Sequence, residues 1–128
     1  MKQRAMVVAC ALSFVAGACA TWVGAQQQRA VTRREPQFEN EHVKVWKSII
    51  EPRQPLTMHR HEHGRTAIAL TDGQLNVIDA AGKVVGRYAW QKGKAYWLDA
   101  DKPGELHGDR NDTDKTIEVI IVEMKHDR

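Results

Sequence analysis

Beyond Cys19 the chain contains no cysteine: its 2 cysteines, Cys10 and Cys19, both lie near the N-terminus. That absence excludes a disulfide framework, a thiolate nucleophile and a cysteine zinc site from everything downstream. Any metal there must be held by nitrogen and oxygen. Charge is also missing, from Ala5 to Ala25. With Lys2 and Arg4 ahead of it, an apolar run from Ala5 to Ala16 and the small residues Val23-Gly24-Ala25 at its end, this stretch has the layout of a signal peptide cleaved after Ala25. Ala18-Cys19-Ala20 offers a second cleavage site. The stretch is also long enough to remain as a membrane anchor, though its alanines and glycines make a weak one. Cys19 after Ala16-Gly17-Ala18 resembles an acylation site without the usual aliphatic residue. In each case the folded domain is expected outside the cytoplasm, periplasmic or secreted, and membrane contact requires retention or lipidation of this segment. A serine nucleophile elbow, a paired-carboxylate signature and a phosphate loop are absent as well, so no catalytic residue is assigned.

The chain has 128 residues, 42% of them hydrophobic, which suffices for one domain and not for two. Its formal charge of +3 misleads: of 19 basic residues, Lys2, Arg4, Arg29, Arg33 and Arg34 precede Glu35, leaving 14 to face all 16 acidic residues. The remainder is slightly acidic, and a nucleic-acid partner has no support. Residues 26–36 are polar and unpatterned and are expected to form a flexible leader between the signal segment, 1–25, and a single domain, 37–128.

No window of that domain has a helical period, and short strands alternate with turns. His42 to Ile50, Leu56 to His63, Thr66 to Leu70, Gln74 to Asp79, Lys83 to Trp90, Ala95 to Leu98, a short strand at His107 and Thr116 to Met124 read as strands. Asp72-Gly73, Ala81-Gly82, Lys92-Gly93 and Asn111-Asp112 read as turns between them. The last segment, rich in Ile and Val, is the strongest strand. About eight strands without a helix describe a small all-β barrel or sandwich.

Chemistry concentrates in Met58-His59-Arg60-His61-Glu62-His63-Gly64. Residues two apart share one face of a strand, so alternate histidines can point together. Neutral imidazole is the commonest metal ligand. A solvated basic strand edge would show the same residues, and the rest of the chain must decide.

The stretch from Met58 to Gly73 resembles the first motif of the single-domain cupins, Gly-x5-His-x-His-x3,4-Glu-x6-Gly, with His59 and His61 as its histidine pair and Gly73 as its closing glycine. The second motif, Gly-x5-Pro-x-Gly-x2-His-x3-Asn, is matched at Gly93, His107 and Asn111. The resemblance runs from about Phe38 to Lys125 and implies a cupin-type β-barrel, a double-stranded β-helix of jelly-roll kind. Departures accompany it: Arg53 stands at the first glycine, Asp99-Ala100-Asp101 replaces Pro-x-Gly, the segment from Lys102 to Leu106 lengthens the approach to His107, and the glutamate position falls on Arg65 or Thr66.

The resemblance implies that His59, His61 and His107 meet inside the barrel and hold a divalent transition metal, with Zn, Fe, Ni or Cu favoured by nitrogen ligands. His63 is a candidate fourth ligand, although Gly64 argues for a bend there. Arg65 is a candidate substrate-binding residue at the mouth, weighed against an ion pair with a surface acid such as Glu62. Asp99, Asp101 and Glu105 are expected as loop acids in water, with support of His107 the alternative. Trp46, Tyr88, Trp90, Tyr96 and Trp97 are expected to pack rather than to line a ligand pocket. Two functions follow from the resemblance: a metal-dependent enzyme on a small molecule, of dioxygenase or lyase type, or a non-catalytic module that binds or senses a small ligand or the metal. A homodimer formed through barrel-edge strands, with the apolar final strand suited to the role, is the expected assembly.

Overall fold

The fold is described by a computed structural model covering residues 30–127; the signal-like segment and the start of the leader lie outside these residues. Backbone amides in the β-branched stretches have no helical partners, and they pair across eight antiparallel strands. These are β1 (Arg33–Glu39), β2 (Val43–Ile50), β3 (Arg65–Ala69), β4 (Gly73–Ile78), β5 (Val84–Trp90), β6 (Ala95–Leu98), β7 (Gly108–Arg110) and β8 (Ile117–Met124). No helix is present among the described residues. The strands form a five-stranded sheet, β1-β2-β8-β3-β6, and a three-stranded sheet, β5-β4-β7.

Alternation decides the interior. Ile117, Val119 and Ile121 of β8 are buried while their neighbours are half-buried, and Arg65, Ala67 and Ala69 of β3 follow the same rule. Trp46, Ile50, Leu56, Leu75 and Trp90 complete a core shared by both sheets. Close packing explains the closing glycine of the histidine motif: a Cβ on Gly73 would lie 2.7 Å from Ile117 Cδ1.

Three expectations change. Residues 33–36, assigned to the flexible leader, form the first half of β1, with Arg33 opposite Ile49 and Pro36 opposite Trp46. The strand is an edge whose side chains are mostly exposed, so it carries no apolar pattern, and the free backbone of β2 recruits it. Pro36, without an amide hydrogen, sits beside a register shift that ends at Phe38, where an edge strand tolerates it. Secondly, Leu56 to His63 is not a continuous strand. It meets the β7 region through two bridges, Pro55 with Arg110 and His59 with His107, and then crosses to the other sheet, because its partner strand is only three residues long. Thirdly, β8 is no edge: it pairs with β2 on one side and β3 on the other, and its apolar character reflects burial.

Candidate metal centre

The crossing from one sheet to the other brings the histidines together. His59 is fixed by reciprocal backbone hydrogen bonds with His107, its amide donating at 2.8 Å and its carbonyl accepting at 2.9 Å. His61 follows at the start of the crossing, where its amide donates to Asp101 Oδ2 at 2.6 Å and its carbonyl accepts from the Asp101 amide at 2.9 Å. The ring centroids are 4.9 Å apart for His59 and His61, 4.4 Å for His59 and His107, and 5.6 Å for His61 and His107. One ring nitrogen from each lies within 4.8 Å of those from the other two.

Each imidazole has an oxygen acceptor at Nδ1. His59 Nδ1 donates to the Thr57 carbonyl at 2.6 Å, His61 Nδ1 meets the Glu123 carboxylate of β8, and His107 Nδ1 faces Asp101 Oδ2 at 3.3 Å. Holding the proton at Nδ1 leaves the lone pair on Nε2, the arrangement that orients metal-binding histidines. The Nε2 atoms of His59 and His107 are buried and have no hydrogen-bond partner. Burial drives the His59 imidazole down to about 3, against the Thr57 hydrogen bond and with repulsion from Arg34, His107 and His61. Burial also lowers His107, opposed by Asp109 and Asp101. Both are therefore neutral at physiological pH, the state a metal ligand requires.

The other residues singled out by the sequence are placed as follows. His63 lies apart from the three: its Nδ1 is 2.6 Å from Asp127 Oδ1, and the adjacent Gly64 amide donates to Asp127 as well. Gly64 lets the Trp97 ring lie against the backbone there, since a Cβ would fall 2.3 Å from that ring. Arg65 is not a surface residue. It is 3% exposed, it points inward by strand parity while Thr66 points out, and it donates to the Asp99 carbonyl at 2.9 Å with Asp101 Oδ1 3.9 Å away. A guanidinium thus stands at the inward-facing one of the two positions on which the motif's glutamate falls. Glu62 pairs with Arg60. Asp101 is no loop acid in water, because it touches His61, His107 and Arg65 at once. Asp99 accepts from Trp97 Nε1 at 2.8 Å.

The aromatics divide. Trp90 packs against Tyr88 and Tyr96 in the core, with centroids 5.1 and 4.9 Å away, while Trp97 is half exposed. Trp46 does more than pack. It lies parallel to His61 with centroids 6.0 Å apart, carries the Arg34 guanidinium at 5.7 Å from its ring centroid, and lines the cavity beside the histidines. Arg34 and Asp109 were not marked by the sequence. Parity with His107 would have found Asp109, two residues on; nothing would have found Arg34, which reaches the site only because β1 is a strand.

The cavities differ in what they can admit. The interior space between Arg65, Tyr88 and Asp109 amounts to about 30 Å³, room for a water or two. A second cavity of about 400 Å³ opens over the histidines, lined by Arg34, Lys44, Trp46, His59, Arg60 and His61.

Solved structures of similar architecture identify the fold. A cupin domain from Bordetella pertussis Tohama I superposes with a TM-score of 0.64 at 24% identity, over 77% of this chain and 98% of that one. The domain is a single-domain cupin fold. A conserved protein with a double-stranded β-helix domain from Klebsiella pneumoniae matches with a TM-score of 0.55 at 21% identity, over 75% of this chain and 78% of that one. An RmlC-like cupin family protein from Methanocaldococcus jannaschii matches at 0.56 and 13% identity, over 79% and 86%. No protein-family model and no curated protein matches the chain. At these identities the likeness is one of fold, and the chemistry of this cupin-fold domain has to be argued from its own residues.

Proposed function

We propose that this cupin is an exported protein that binds a divalent transition metal through His59, His61 and His107 and takes up a small anionic molecule beside it. One observation carries the reading: three imidazoles, each with an oxygen acceptor at Nδ1, converge with ring nitrogens inside 4.8 Å. The unpartnered buried Nε2 atoms of His59 and His107 fit a metal, because uncompensated burial of a polar atom is costly and coordination removes the cost. Zn, Fe, Ni and Cu suit an imidazole set. A bound ion would act as a Lewis acid towards a group placed on its open positions.

The residues around it supply the rest. The cavity over His59 and His61 has the size of a small-molecule site and presents Arg34, Lys44 and Arg60, the last paired with Glu62, alongside the acids Glu39 and Glu123. Guanidinium groups hold carboxylates or phosphates by paired hydrogen bonds, which favours an anionic ligand. Trp46 gives it an apolar wall. The catalytic version of this reading is a dioxygenase- or lyase-like enzyme. The binding or sensing version is favoured by one observation, the absence of a carboxylate from both candidate glutamate positions, with a buried Arg65 at the inward one.

Metal analysis tests the proposal. The purified domain should retain stoichiometric metal after loading and dialysis, and His59→Ala with His107→Ala should abolish it; a wild type without metal overturns the reading. Thermal-shift screening of small carboxylates and phosphates on the loaded protein tests the ligand, with a shift lost in Arg34→Gln expected. Two further parts of the proposal, export and a homodimer, are tested by N-terminal sequencing of the secreted protein and by light scattering on the purified domain.

A further inference from the structure

Resting on the anionic-ligand reading above, we infer that the molecule taken up is a monocarboxylate with an apolar body, its carboxylate seated on Arg34 and its body laid along β1 towards Phe38.

β1 supplies one wall of the cavity over His59 and His61, through Arg34, Pro36 and Phe38. Register orders that wall. Pro36 stands opposite Trp46, whose ring is parallel to His61, and Phe38 stands opposite Val45, so apolar side chains lead away from the histidines along the strand. From Pro36 to Phe38 the chain advances by at most about 7 Å. Phe38 is 58% exposed although it borders this cavity. A large apolar side chain left open at the rim of a concave site is surface for a ligand to cover.

Charge fixes the other end. The Arg34 guanidinium lies 5.7 Å from the Trp46 ring centroid and makes no hydrogen bond or ion pair among the described residues. The other charges lining the cavity are matched: Arg60 pairs with Glu62, Glu123 with His61 and Glu39 with Lys125, while Lys44 lies in register between Glu39 and Glu123. Arg34 stands opposite the uncharged Ser48 and is the unmatched cation of the set. One unmatched cation calls for one negative charge, and Glu39 and Glu123 repel a dianion such as phosphate. A guanidinium takes a carboxylate by two parallel hydrogen bonds. Because Trp46 lies against both Arg34 and His61, the carboxylate end belongs on the histidine side, with the body pointing to Phe38.

Calorimetric titration of the full chain, metal-free and zinc-loaded, with phenylpropionate, acetate and inorganic phosphate tests this. Phenylpropionate should bind at least about 10-fold more tightly than acetate, the gain from covering Phe38 and Pro36. Phe38→Ala, a change at an exposed position, should bring the two carboxylates within about 3-fold of each other. Arg34→Gln should weaken both by about 10-fold or more. Equal affinities for the two carboxylates, a preference that survives Phe38→Ala, or phosphate as the tightest of the three overturns the assignment. Zinc uptake without the preference sinks the assignment and leaves the metal centre standing. The preference without zinc uptake upholds the assignment and removes the metal from the reading beneath it.

Discussion

Asn111 shows how one residue of a functional-looking motif can be structural. It is fully buried, its Nδ2 donates to the carbonyls of Ile50 and Lys115 at 2.9 and 2.7 Å, and its Oδ1 accepts from the Thr113 amide and hydroxyl. Those bonds tie the end of β2 to the turn that launches β8. Asn111→Ala strands the buried Ile50 carbonyl and is expected to cost about 1–3 kcal/mol, read from urea unfolding. Glu123 makes the opposite case, a residue of the final strand that touches the site. Glu123→Gln keeps the shape but weakens the acceptor at His61 Nδ1; it is expected to lower metal affinity about 10- to 100-fold with little change in stability of the metal-free domain, by competition with a chromogenic chelator. The histidine pair was legible because its spacing to Gly73 and His107 resembles the cupin motifs. Asp101 and Glu123 were not, since an acid in a loop or on a strand has no sign of its own until something basic is placed against it.

At the scale of elements, the strands that carry alternating apolar residues were readable and those that do not were missed. β8 buries one face, and that burial writes a period of two into its sequence. β1 buries almost nothing of its side chains, and its pairing is specified by the backbone of β2. A chain starting at Gln37 therefore loses half a strand, bares the β2 edge and removes Arg34 from Trp46. It is expected to unfold at lower temperature and to expose Trp46 to acrylamide quenching, where a truly flexible leader could be removed without effect. The same logic covers β4. Gly73→Ala drives a methyl into Ile117 of β8, and a destabilisation of about 1–3 kcal/mol is expected in thermal unfolding, with the metal-binding residues untouched.

For the molecule as a whole, the two sheets are joined at the point where the histidines sit. His59 and His107 belong to the edge of the three-stranded sheet, and Glu123, which holds His61, to the five-stranded one. A metal bound there cross-links the layers. Loading at about 1,000 times the dissociation constant is expected to stabilise the fold by about 4 kcal/mol, a shift in thermal midpoint that chelation reverses and that His107→Ala removes.

By itself the sequence determined the fold class and the strand sequence of the core, because periodic burial is a local property of residue type, and its resemblance to the cupin motifs singled out the three histidines. Only the tertiary structure decided which neighbours complete the centre. It turned His63 away to Asp127, buried Arg65, raised Asp101 from a loop acid to a brace, and brought Arg34 and Asp109 to the site from opposite ends of the domain. Those roles depend on distances between residues far apart in the chain, and such distances exist only once the two sheets have closed on each other.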